Sequence, residues 1–175
     1  GTSDDYVGSV CTATSAQSGS ACSYVRYGND SSQAAIVPES ANYRVKNSAI
    51  VIGSPFWDIP GGTPTVDGGA VTLMPPTGMA GPVTSANSLI GAAPGDKIGA
   101  KDNQAFPGDL EIRFSVLANG NYVVGSPLWD LSAGAVDAGA VTWVDGDTGL
   151  GGAAVSAANS LHGSTTADQV GNEPE

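Results

Sequence analysis

Three blocks of this chain return in the same order. Gly53-Ser54-Pro55-Phe56-Trp57-Asp58-Ile59 recurs 72 positions later as Gly125-Ser126-Pro127-Leu128-Trp129-Asp130-Leu131. Asp67-Gly68-Gly69-Ala70-Val71-Thr72-Leu73 recurs as Asp137-Ala138-Gly139-Ala140-Val141-Thr142-Trp143, and Val83-Thr84-Ser85-Ala86-Asn87-Ser88-Leu89 as Val155-Ser156-Ala157-Ala158-Asn159-Ser160-Leu161. An ordered internal repeat of this length restricts the chain to architectures in which one supersecondary unit is used twice, each copy burying surface against its neighbour.

A fourth block sets the phase. Gly91 to Gly99 matches Gly163 to Gly171, and Gly1 to Gly8 matches both. Gly99 to Gly171 spans 72 positions, but Gly8 to Gly99 spans 91. The surplus falls where Cys11 and Cys22 bracket a Ser/Ala/Gly-rich stretch. The chain therefore divides into repeat 1 over 1–98, carrying a Cys-containing insertion at about 10–40, repeat 2 over 99–171, and a tail over 172–175. Insertions of this kind are tolerated because loop-closure entropy grows slowly with length. The short, flexible spacing between Cys11 and Cys22 favours a disulfide over two free thiols.

Four strands are expected in each repeat, making the fold class all-β with two tandem four-stranded antiparallel, β-propeller-blade-like units. The first strand is Ile112 to Leu117, loosely matched by Asn42 to Lys46. The second is Tyr122 to Gly125 and Ile50 to Gly53, near-continuous apolar runs of the kind covered on both faces. The third is Gly139 to Val144 and Gly69 to Met74, and the fourth Ala154 to Ala158 and Pro82 to Ala86. Asn119-Gly120 and Asp145-Gly146 supply turn signals beside them.

Composition agrees with short strands and tight turns: 25 Gly, 11 Pro and 13% charged residues in 175. The net charge of −11 repels phosphate backbones and anionic lipid, which excludes nucleic acid as an expected partner. No apolar run approaches the ~20 residues of a membrane span, so no membrane insertion is expected. The segment at Gly1 does not read as a signal peptide, and the expectation is a mature product or an excised piece.

The repeat, with its Tyr-Val-Val-Gly-Ser-Pro-Leu-Trp-Asp stretch from Tyr122 and its Asp-Gln-Val-Gly close at Gly171, resembles the short tandem repeats of large filamentous-haemagglutinin-like proteins of Gram-negative bacteria. More distantly it is similar to the FG-GAP blade of integrin-type β-propellers. The resemblance implies a secreted or cell-surface protein in which repeats supply length and presentation. It departs from calcium-binding FG-GAP blades at the turn between first and second strands. Leu117-Ala118-Asn119-Gly120-Asn121 and Lys46-Asn47-Ser48 stand there without a carboxylate, so that calcium site is not carried over. Asp145-Gly146-Asp147 reads as a turn stabilised by its own Asp side chains.

Catalytic patterns are not visible. The single histidine, His162, corresponds to Ile90 in the sister repeat, which points to packing, and neither cysteine has a neighbouring base. The expectation is no enzyme, no catalytic residue, no metal and no cofactor. Trp57 with Asp58, and Trp129 with Asp130, recur at one phase. They form either a sugar platform or an inter-repeat packing position. Repetition at the same phase favours packing, because every unit must bury the same surface. Trp143, opposite Leu73 in the alignment, reads as core. The functional expectation is a structural or adhesive repeat segment of a bacterial extracellular or surface protein, self-assembling head to tail. Its partners are neighbouring repeats, with a glycan or host surface beyond them, and the alternative is a carbohydrate-binding module.

Overall fold

The computed structural model describes residues 45–60, 65–102 and 110–172. Cys11, Cys22, the expected insertion and most of the first strand of repeat 1 lie outside the described residues. Within them the chain is all-β. Among the described residues nine strands follow a single 3-10 turn at Lys46–Ser48, and no helix is long and apolar enough to cross a membrane.

Repeat 1 contributes β1 (Ile50–Ser54), β2 (Ala70–Met74) and β3 (Ser88–Ile90) as an antiparallel sheet in that order. A short pair, β4 (Ala100–Asp102) and β5 (Leu110–Ile112), links the repeats. Repeat 2 forms a four-stranded antiparallel sheet from β6 (Phe114–Val116), β7 (Tyr122–Ser126), β8 (Ala140–Val144) and β9 (Ser160–His162). The registers are equivalent: Ile50↔Met74 and Ser54↔Ala70 in one repeat, Tyr122↔Val144 and Ser126↔Ala140 in the other. β6 turns into β7 through Asn119-Gly120, where Gly120 takes φ +79°, a conformation glycine adopts without steric cost. Leu117 N–H donates to Asn121 O and Gly120 N–H to Leu117 O, closing that turn.

The expected fourth strands are corrected. Ala154 to Ala158 and Pro82 to Ala86 are not strands of their own sheets, and the strands begin later, at Ser160 and Ser88. The cause is a side-chain-closed turn. Asn87 Oδ1 accepts the Thr84 N–H at 2.8 Å while its Nδ2 donates to Pro82 O at 3.1 Å. Asn159 does the same with Ser156 N–H and Ala154 O, both at 2.9 Å. Such Asx bonding competes with strand pairing locally. The expected first strand is also interrupted: β5 pairs with β4, β6 pairs with β7, and Arg113 between them belongs to neither.

Strand side chains alternate between faces. Apart from the equivalent alanines Ala70 and Ala140, buried in both sheets, the buried apolar set of sheet 1 is odd-numbered, Val51, Val71 and Leu89, whereas that of sheet 2 is even-numbered, Tyr122, Val124 and Val144. The offsets, 72 for most of the repeat and 70 between β2 and β8, both preserve parity, so the two repeats meet through opposite faces. These six belong with Ala140 to one buried cluster, joined by Ile98, Trp129 and Val155. Two identical units meeting front to back, not front to front, is the geometry of a stack.

Candidate functional site

No cluster of His, Cys, Asp or Glu suited to a metal occurs among the described residues. The most elaborated feature is the junction between repeats. Leu73 and Leu150 pack against the shared cluster, and Gly149 comes so close that a Cβ there would lie 3.2 Å from Leu73 Cβ. The backbone joins the sheets as well. Ile90 bridges Ala154 in parallel, its N–H donating to Ala153 O at 3.0 Å and its carbonyl accepting Val155 N–H at 2.9 Å. The segment expected as a fourth strand of repeat 2 therefore touches the edge of repeat 1. Across the same seam the Gly99 N–H donates to Ser126 Oγ at 3.2 Å.

Asp96 is the polar centre of the junction. It is fully buried, and its Oδ2 accepts the N–H groups of Ala92 and Ala93 at 2.7 and 2.8 Å. Its Oδ1 reaches into repeat 2 and accepts the Asp130 N–H at 3.0 Å. Burial pushes its carboxyl above the usual range, against the pull of those three donors. Asp168, the matching residue, keeps the two local bonds from Ser164 and Thr165 N–H, but its Oδ1 accepts the Thr165 hydroxyl instead. It is exposed, and those hydrogen bonds, led by the Thr165 hydroxyl, hold its carboxyl below the usual range. Nothing in the spacing of the fourth block singled out Asp96. Its recurrence as Asp168 was the available signal.

Trp57 and Trp129 are 6% and 4% exposed. Trp129 belongs to the core cluster and sets its ring edge-on to His162, with centroids 6.0 Å apart. His162 Nδ1 lies 2.6 Å from Gly163 O. The neighbouring acids act on the backbone: Asp58 Oδ1 accepts the Asp67 N–H at 2.9 Å, and Asp130 Oδ1 the Asp137 N–H at 2.8 Å. Each Trp carbonyl then accepts the N–H of Gly69 or Gly139. Trp and Asp thus fasten the loop between second and third strands in both repeats. Trp143, expected in the core, is corrected: it is 50% exposed, because nothing among the described residues covers its face of sheet 2.

At the far edge of the junction, Lys46 Nζ lies 3.6 Å from Asp145 and 3.3 Å from Asp147. The Lys46 N–H donates to Gly120 O, and Gly146 N–H to Asn121 Oδ1. Asp145 Oδ1 accepts the Asp147 N–H at 2.8 Å, which with Lys46 lowers its pKa. A lysine from the preceding repeat thus bridges both carboxylates of the Asp145-Gly146-Asp147 turn.

No curated protein and no solved structure matches the chain. A family model described as "Repeat of unknown function (DUF5650)" matches twice, over residues 44–100 and 116–172, which fixes the 72-residue period and takes in more than half of the sequence. With two copies stacked through one junction, the chain belongs to the DUF5650 repeat family.

Proposed function

We propose that the chain is a structural, adhesive repeat segment of a bacterial extracellular or surface protein, non-catalytic, in which blade-like units stack to give length and presentation. The observation that carries this reading is the junction itself: an apolar core shared by both sheets and crossed by backbone and side-chain hydrogen bonds. Repeat arrays gain stability from such nearest-neighbour contacts. The near-complete burial of Trp57 and Trp129 supports packing over a sugar platform, which needs an open aromatic face. The resemblance to filamentous-haemagglutinin-like repeats supports the extracellular setting, and the FG-GAP likeness the blade-like unit.

Denaturant unfolding tests the coupling. One cooperative transition is expected, seen alike by fluorescence and by far-UV circular dichroism. Two separable transitions would sink the stacked-unit reading. A glycan array tests the alternative: saturable binding lost on Trp57→Ala or Trp129→Ala, in variants that remain folded, would replace this reading with a carbohydrate-binding module.

A further inference from the structure

The two repeats use one junction, yet each repeat has both of its halves. The surface by which repeat 1 receives repeat 2 is present on repeat 2, and the surface by which repeat 2 is received is present on repeat 1. Leu89 is 2% exposed beneath repeat 2, while its counterpart Leu161 is 75% exposed. Trp143, the counterpart of Leu73, is exposed beside it. At the other end, Leu150 packs against the shared core, while Met79, which follows Thr-Gly as Leu150 does, is 44% exposed. A Cβ on Gly149 would meet Leu73, whereas one on the matching Gly78 would meet nothing within 4 Å.

A polar atom repeats the pattern. Ser126 Oγ accepts the Gly99 N–H, but Ser54 Oγ, equally buried, has no partner among the described residues. A buried hydroxyl without a partner is destabilising and uncommon. Two residues correspond to Gly99: Gly8, which lies outside the described residues, and Gly171, which closes repeat 2.

We propose that the open face of repeat 2, centred on Leu161 and Trp143, docks repeat 1 of a second copy of this chain through the face that carries Met79 and Ser54. The proposal rests on the stacked-unit reading and names its partner. In this contact Gly171 N–H reaches the partner copy's Ser54 Oγ as Gly99 reaches Ser126. The edge of β9 at His162 meets the segment around Pro82 as Ile90 meets Ala154. Pro82 lacks an N–H, but the bridge uses the flanking positions, here Gly81 O and Val83 N–H, so proline is tolerated. The two surfaces differ, so the contact is heterologous: it makes a ring if the rotation closes and a filament if it does not.

Sedimentation velocity of the full chain tests this. Wild type is expected to sediment faster as concentration rises to about 200 µM, where a contact of Kd ~10 µM is mostly formed. Leu161→Asp and Met79→Asp alter exposed residues at opposite ends, and each alone should sediment as a monomer with unchanged circular dichroism. Mixed one to one, they should give a dimer and nothing larger, because only one open tail and one open head remain. A wild-type monomer at that concentration overturns the proposal, including the case in which another part of the same chain covers the Met79 and Ser54 face. Association that survives both substitutions overturns it too, since another surface is then responsible. Separable unfolding transitions in each copy are the failure of the stacked-unit reading, and they are read by a different measurement.

Discussion

Leu89 and Leu161 occupy the same position of the same repeat, at the centre of a three-residue strand that begins with the same serine. Their hydroxyl neighbours match as well: Thr72 and Ser88 oxygens lie 2.6 Å apart, Thr142 and Ser160 oxygens 2.7 Å. One leucine is buried and the other faces solvent. Backbone path, register and local hydrogen bonds therefore come from the unit, whereas burial comes from its place in the stack. Position along the array decides which copy of a residue contributes to stability.

The largest test of that comparison is truncation. Leu89→Ala removes packed methyl groups from the shared core and is expected to cost about 2–4 kcal/mol in urea unfolding. Leu161→Ala, at dilute protein concentration, should stay within about 0.5 kcal/mol of wild type. Equal losses at the two sites would mean that the junction does not distinguish the repeats.

Much of this is legible in the amino-acid sequence. The period, the second and third strands and the turn at Asn119-Gly120 follow from apolar runs and glycine placement. The fourth strand begins later than expected although Ala-Val-Ser-Ala-Ala reads as extended. The decisive interactions are those of Asn159 with the backbone on its N-terminal side, which hydrophobic pattern does not register. Trp143 departs from the expected core position for a different reason. Its alternation places it on a core-type face, and only the stacking order says whether that face is covered. Asp96 stayed hidden because a carboxylate in a Gly/Pro-rich turn looks like any capping acid until its second oxygen is seen to cross the seam.

The Asn turn gives an intermediate effect and a control. Asn87 and Asn159 bind their own backbones alike, although Asn159 is exposed and Asn87 is half-buried. Asn87→Ala and Asn159→Ala should each cost about 1 kcal/mol, a typical hydrogen-bond loss, and by equal amounts as measured by thermal unfolding. A loss at Asn87 several times that at Asn159 would place this turn among the features that depend on stacking.

The finest distinction lies in the two aspartates that share a position and shift in opposite directions. Asp96 is raised, chiefly by burial and in smaller part by the nearby Asp130 carboxylate. Asp168 is lowered, chiefly by the Thr165 hydroxyl and then by two backbone donors. For Asp96 the folded state holds its proton more tightly than the unfolded chain. Its contribution is therefore fully present below the ordinary value near 3.9 and declines as pH rises through the folded pKa. For Asp168 the order reverses: the contribution is present above that value and is lost as pH falls through the folded pKa. Asparagine removes the titration at either site. The stability advantage of wild type over Asp96→Asn should shrink as pH rises from about 4 to about 7, whereas its advantage over Asp168→Asn should grow from about 2 to about 4. Urea midpoints across that range, at concentrations low enough to keep the chain monomeric, read both changes. If the two differences run in the same direction, the seam does not set the environment of Asp96, and equivalence of sequence position outweighs place in the stack.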